Sequence, residues 1–242
     1  MTAPPTRRDR LREDALTQIK AVARQQLVAS GPAGIHLRAI AREIGMTAPG
    51  LYRYFASLEE LVAALIVDCY DEVIGEIEQA RDALAAEDLA GRLLAVCRAF
   101  RWWSVRHPAE FQLIFGAPPP GYSERPEGPA QAAGARFGSV FLHIFAEIWV
   151  RRPFPVPDEA DLDPRLLGQL QELTTIVDPR LPAGARYRFL ACWVRLYGSV
   201  AMEVFGHMQW AVDEGSGFYE TELRQLSELL GMSAEYRPPV SG

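Results

Sequence analysis

Apolar residues recur at three- and four-residue intervals along nearly the whole chain, and nowhere do apolar and polar residues alternate between turn residues as a strand would require. A chain patterned in this way can bury its apolar stripes only helix against helix, so the expected fold class is all-α. Leu11, Ala15, Ile19, Ala23 and Leu27 predict a first amphipathic helix from about Arg10 to Ala29, ended by Ser30-Gly31-Pro32-Ala33-Gly34. A short second helix is expected over 37–44 and a third over 48–55. Thr47 would be the N-cap of the third, with Pro49 harmless in its first turn. Ser57 and Glu60 have the spacing of a capping box that opens a long helix over 58–85. Further helices are expected at 88–106, 108–115, 130–151, 163–177, 183–210 and 217–231. The Pro/Gly-rich stretches 116–128 and 153–157 are expected as loops within one C-terminal domain. The domains are set at 1–56 and 57–236, with only the tails, 1–8 and about 236–242, expected to be disordered.

Composition narrows the class. With 49% hydrophobic and 23% charged residues, the 242-residue chain has the balance of a folded protein. No uncharged apolar run reaches the roughly 18–20 residues of a membrane span, so no membrane partner is expected. The N-terminus lacks the apolar core of a secretory signal. Cys69, Cys97 and Cys192 stand far apart without a CxxC pair, which argues against a disulfide scaffold or cysteine zinc site and for small core filler in a reducing cytoplasm.

Charge is unevenly placed. Residues 1–56 carry nine Lys/Arg and four acids, a balance of +5, whereas the remainder carries 16 bases and 27 acids, a balance of −11. A basic head suits a polyanion, since each neutralised phosphate releases condensed counterions; a solvated helix face accounts for the same charge. Between Ile35 and Phe55, two short helices joined by a Gly-containing turn have the spacing of a helix-turn-helix, whose second helix enters the DNA major groove. Ala41 and Gly45 are small where the helices approach. Ile40, Ile44, Met46 and Leu51 would form the miniature core, leaving Thr47, Ala48, Gly50, Arg53 and the edges of Tyr52 and Tyr54 outward.

The segment LRAIAREIGMTAPGLYRYFASLEEL, residues 37–61, resembles the DNA-binding signature of the TetR family of bacterial repressors through Ile40-Ala41, Gly45-Met46-Thr47, Leu51-Tyr52, Phe55, Ser57 and Glu60-Leu61. The C-terminal part resembles a subgroup with a Trp, His-Gly, acidic pattern, here Trp193 to Gly198 followed by Glu203 and Gly206, with Tyr197 in place of the His. His107 to Phe111, Phe115-Gly116 and Pro120 to Tyr122 are consistent with that subgroup. The resemblance implies a homodimer whose three-helix heads bind a palindromic double-stranded DNA operator and whose C-terminal domains hold a ligand pocket and the dimer interface. It implies that Arg38 reaches a guanine edge, that Thr47, Tyr52 and Tyr54 bond phosphates, and that Ala48, Pro49, Gly50 and Arg53 face bases. Leu58 stands where the family usually has a phosphate-binding Lys. Arg7, Arg8 and Arg10 could compensate as a mobile arm along a groove, or remain a solvated tail. Arg42, Glu43 and His36 are expected as solvated surface, and Phe55, with most of the Tyr52 ring, as head core.

For the acidic body, rings from the middle helices are expected to wall a pocket for a small apolar ligand, with Tyr70, Trp103, Phe111, Phe115, Phe141, His143, Phe145 and Trp149 as the candidate lining. Arg101, His107, Gln112 and Glu147 are further polar handles, and acidic surroundings favour neutral or cationic ligands. His143 with Glu147 and Glu203 with His207 share helix faces at i,i+4 and could be read as a metal site or as local pairing. Without a catalytic motif in suitable context, no enzyme, cofactor or metal is expected. Helices 183–210 and 217–231, with Phe189, Trp193, Leu196, Val200 and Val204 and with Leu223, Leu226 and Leu230, correspond to those that pair across the family's two-fold axis. The function expected is a ligand-released repressor. The alternatives are a helical ligand-binding protein without specific operator affinity, a metal-dependent bundle enzyme, or an activator.

Overall fold

The computed structural model describes residues 6–123, 127–172 and 178–239. Among these residues the α-helices are α1 (Arg7–Ser30), α2 (Leu37–Glu43), α3 (Ala48–Leu51), α4 (Leu58–Asp82), α5 (Leu89–Arg106), α6 (Pro108–Phe115), α7 (Pro129–Arg151), α8 (Pro164–Glu172), α9 (Ala183–Val204) and α10 (Ser216–Leu229). Single 3-10 turns lie at Pro32–Gly34, Glu159–Asp161 and Ser233–Glu235, and no strand occurs among the described residues. The chain is all-α. The last five residues of the helix expected over 163–177 lie outside the described residues.

Four boundaries differ from the sequence expectation by three residues or more: α4 stops at Asp82 rather than near residue 85, and each of the other three has a local reason. The first helix begins at Arg7, because Thr6 Oγ1 accepts from the Asp9 amide while the Asp9 carboxylate accepts from the Thr6 amide at 2.9 Å and from its hydroxyl at 2.6 Å. A capping box therefore sits inside the segment expected to be a disordered tail. The third helix stops at Leu51 rather than Phe55. Arg53 and Tyr54 donate to Gly50 and Leu51, three residues back, at 3.3 and 2.8 Å, so 52–54 is a tighter turn. The ninth helix stops at Val204 rather than near residue 210. Gly206 has φ +71°, its amide donates to Glu203 and the His207 amide donates to Met202, the paired bonds of a Schellman stop. At Ser57 the capping box is shifted: Ser57 Oγ accepts from the Glu60 amide as expected, but Glu60 accepts from the Ala56 amide.

The chain divides into two compact units, Met1–Glu72 with His107–Gly134, and Val73–Arg106 with Ala135–Gly242. The 1–56 head lies wholly within the first. There, Ile19, Ala23 and Leu27 of α1 are fully buried with Ile35, Ile40, Ala41, Leu51 and Phe55. The α1 stripe becomes buried only at Ile19; Leu11, counted in that stripe, is 58% exposed. Beside this core runs a ladder of charge. Lys20 pairs with Asp68 at 2.7 Å; one turn on, the Arg24 guanidinium forks onto Glu72 and donates through Nε to Glu110 of α6 at 2.8 Å. Glu110 is only 4% exposed, so Arg24 keeps a desolvated carboxylate paired.

The second unit is organised by rings. Phe100 of α5, Phe137 and Phe141 of α7 and Trp193 of α9 meet with centroids 5.3–6.1 Å apart, mostly edge-on. Phe154, in the Pro-rich 153–157 loop, packs on Phe145 and Trp149, which explains why that loop is not a linker. Arg101 pairs with Glu203 at 2.5–2.7 Å and Arg98 with Glu220 at 2.8–2.9 Å.

Replacing Arg24 by Ala would leave Glu110 buried without its cation. The expected loss is about 2–4 kcal/mol, less than for a fully buried pair because Arg24 is partly exposed. Urea unfolding of Arg24→Ala against the double variant Arg24→Met/Glu110→Leu checks this: the double variant should recover most of the loss.

Candidate nucleic-acid interface and ligand cavity

The turn between α2 and α3 sets the interface. Gly45 has φ +69°, where an L side chain is strained; its amide donates to Arg42 and the Met46 amide donates to Ala41 at 2.8 Å. Thr47 then caps α3, its hydroxyl accepting from the Gly50 amide at 3.2 Å. Gly50 is matched to that cap: a Cβ there would lie 3.1 Å from Thr47 Oγ1 and 3.0 Å from Met46 Cγ. Leu51, 1% exposed, and Phe55, 5% exposed, pin the segment to the head core.

With one side fixed, the other side faces outward. Arg38, Thr47, Pro49, Tyr52 and Arg53 are exposed, while Ala48, Gly50 and Tyr54 are half-buried. All eight residues expected at a DNA surface therefore belong to one unit and keep solvent access. Tyr52 is 46% exposed, so its ring is not head core, whereas Phe55 is.

Two separate depressions lie in this head. His36, Leu37, Arg38, Ala39, Arg42 and Leu58 border the first, so Leu58, in place of the family's Lys, has two arginines beside it. The second is bordered by Arg7, Arg8, Asp9, Leu11 and Arg12 of α1 together with Met46, Gly50, Arg53 and Tyr54. Arg7, Arg8 and Arg10 belong to a capped helix rather than to a mobile arm. Arg42 is exposed, as expected, and sequence reasoning gave Arg12 no role beyond its charge. The i,i+4 spacing of Arg8 and Arg12 was the available signal.

The eight ligand candidates are divided between the two units. Tyr70, Phe111 and Phe115 cluster in the first unit, Phe115 lying 5.8 Å from Tyr70 and 5.0 Å from Phe111, with the Tyr70 hydroxyl donating to the Ile114 carbonyl. In the second unit Trp103 is fully buried, His143 is exposed and Trp149 packs on Phe154. Phe141 and Phe145 do line a cavity of about 50 Å³, with Leu93, Leu94 and Cys97 of α5, Phe189, Cys192, Trp193 and Leu196 of α9, and Leu223, Leu226 and Leu230 of and beyond α10. Its one hydroxyl, Ser227 Oγ, donates to the Leu223 carbonyl. Burial pushes the Cys97 thiol up to about 12 and the Cys192 thiol up to about 11. The i,i+4 pairs have other partners: Glu147 takes Arg180 at 3.1 Å and Glu203 takes Arg101.

Residues 19–65 match the family model of bacterial regulatory proteins of the tetR family, and residues 93–226 match the Tetracyclin repressor-like C-terminal domain. The chain is 34% identical over 205 residues to the HTH-type transcriptional regulators Rv1816 of Mycobacterium tuberculosis and Mb1846 of Mycobacterium bovis, covering 81% of this chain and 84% of theirs. Among solved structures, regulatory protein SCO4313 aligns with TM-score 0.73 at 28% identity over 91% of this chain and 98% of that one. RolR, solved in complex with resorcinol, shares the fold at TM-score 0.55 and 16% identity, over 96% of this chain and 99% of its own.

Thr47→Ala should cost about 1 kcal/mol of stability by removing the α3 cap, measured by thermal or urea unfolding, and Thr47→Ser should restore it.

Proposed function

Because the chain belongs to the TetR family of transcriptional regulators, we propose that it is a repressor that binds a palindromic DNA operator as a homodimer and is released by a small apolar ligand. The observation that carries the DNA part is the one-sided burial of the α3 segment: Leu51 and Phe55 are held inward while Arg38, Thr47, Pro49, Tyr52 and Arg53 stay exposed. With Ala48, Pro49 and Gly50 lacking polar side chains, base readout rests on Arg38, Arg53 and apolar contacts, while Thr47, Tyr52 and Tyr54 hold phosphates.

Support for the homodimer comes from a face of α9 different from the one singled out by the sequence. Phe189, Trp193 and Leu196 line the internal cavity and Val200 is fully buried. Leu190, Val194 and Met202, spaced four and eight residues apart, are instead exposed at 41–59%, with Phe218 of α10 exposed at 44%. An apolar track of this kind suits an isologous interface. Two heads on a palindrome would read half-sites about one helical turn, roughly 10 base pairs, or a multiple apart.

For the ligand, the cavity lined by Phe141 and Phe145 favours an apolar group, since its walls are Leu, Phe, Trp, Met and Cys side chains apart from Ser227, whose hydroxyl is bonded to the Leu223 carbonyl. RolR, which shares the fold, was solved in complex with resorcinol, and a small ligand of this chain would find its walls in the same helical class of domain. At about 50 Å³ the cavity must widen to take a ring, so binding selects a rearranged state. Release follows only to the extent that this state holds DNA less tightly.

Selection of sites from random duplexes should return a palindrome, and recovery of no site would overturn the operator reading in favour of a helical ligand-binding protein. Arg38→Ala should relax preference at one base position at a cost of about 1–3 kcal/mol, read by competition against single-base operator variants. Val194→Glu should convert the dimer to monomer in sedimentation equilibrium without loss of helix content by circular dichroism.

A further inference from the structure

We propose that the first two turns of α1 form a second phosphate-binding track of the DNA interface, set by Arg8 and Arg12 beside the base-facing Arg53. Residues 7–14 are all exposed, so this part of the helix contributes no buried residue to the core. It is nonetheless built as helix, closed by the reciprocal Thr6–Asp9 cap. A capped rod that contributes nothing to the core holds its side chains in fixed positions for something outside the chain.

What those side chains offer is cationic. Arg7, Arg8 and Arg12 share one depression with Arg53, Tyr54 and Gly50 of the α3 segment, and Asp9 is the one acid on its border. The Asp9 carboxylate is already engaged by the Thr6 hydroxyl and amide, which hold it below the usual carboxylate range. Glu13 and Asp14 do not border the depression, and neither does Arg10. A helix lying in a major groove has a phosphate strand on each side. The head carries two separate basic depressions, one with Arg42 beside Arg38 and one with Arg8 and Arg12 beside Arg53, so that cations for phosphate lie next to each arginine assigned to a base. Bonds to phosphate fix affinity and register and carry no base preference.

This rests on the DNA-binding reading above, and its test separates the two. Binding of the full-length protein is measured on the selected operator and on an unrelated duplex, between about 50 and 200 mM salt. Arg8→Ala/Arg12→Ala should make the slope of log affinity against log salt shallower by about 0.9 for every phosphate that each head no longer neutralises, equally on both duplexes. Arg8→Lys/Arg12→Lys should stay near the parent slope, and Arg10→Ala should change it less than either Arg8→Ala or Arg12→Ala alone. Since Arg8 and Arg12 are exposed and outside the buried core, circular dichroism and melting should be unchanged, so a folding defect is visible if present. An unchanged slope in the double variant, a loss confined to certain base positions, or an equal loss in Arg10→Ala would overturn the proposal. If the parent protein prefers no sequence, the operator reading fails, while the slope on the unrelated duplex still decides the α1 track.

Discussion

The head depends on how sharply the chain must turn after α2. Only Ile44, Gly45, Met46 and Thr47 separate α2 from α3. The reversal is closed by two amides, those of Gly45 and Met46, donating back to Arg42 and Ala41. That geometry needs a left-handed residue at position 45 and places Thr47 where its hydroxyl can cap α3. Once turn and cap are fixed, the direction of α3 follows, and burial of Leu51 and Phe55 decides which side faces out. The exposed surface of Arg38, Thr47, Pro49 and Arg53 is thus a consequence of backbone hydrogen bonds and two apolar anchors. No charged residue is needed to create it.

The head is legible in the sequence because its determinants are local. Gly45, Thr47 and Leu51 each act within a few residues, and the apolar period from Ile19 to Leu27 marks the inner face of α1. Two departures in the head arise where a local signal is present but outweighed. Thr6 and Asp9 spell a capping box in short-range form, yet a charged terminal segment reads as tail. In the third helix, Ala48 to Phe55 looks uniformly helical, yet Phe55 must reach the core two residues before Ser57 restarts a helix, and the chain tightens over 52–54 to bring it there. At the end of α9, Gly206 is the stop signal, obscured by the apolar residues that follow it.

The ligand region is less legible, because which rings share a cavity depends on helix packing rather than spacing. Phe141 and Phe145 are one turn apart and do face the same space; Trp103, His143 and Trp149 carry equally suggestive side chains and face elsewhere. Cys97 and Cys192, 95 positions apart in the sequence, look like filler there, and filler is what they are chemically: burial keeps both thiols protonated at neutral pH, so they act as compact apolar lining.

Charge is used differently in the two units. In the second, arginines are bound to carboxylates, Arg98 to Glu220, Arg101 to Glu203 and Arg195 to Glu222, and no charged side chain among the described residues lines the cavity. In the first, Lys20 and Arg24 are committed to Asp68, Glu72 and Glu110, and that commitment holds α1 against α4 and α6. The basic residues outside this ladder concentrate at the α1 start and around α2 and α3, exposed and close to the helix-turn-helix. Paired cations cost desolvation and fix structure, whereas exposed ones keep their hydration and counterions until a polyanion displaces them. The +5 balance of residues 1–56 therefore overstates the structural role of charge in the head and understates its availability: two of the nine cations build the fold, and the arginines lining the two depressions stay exposed.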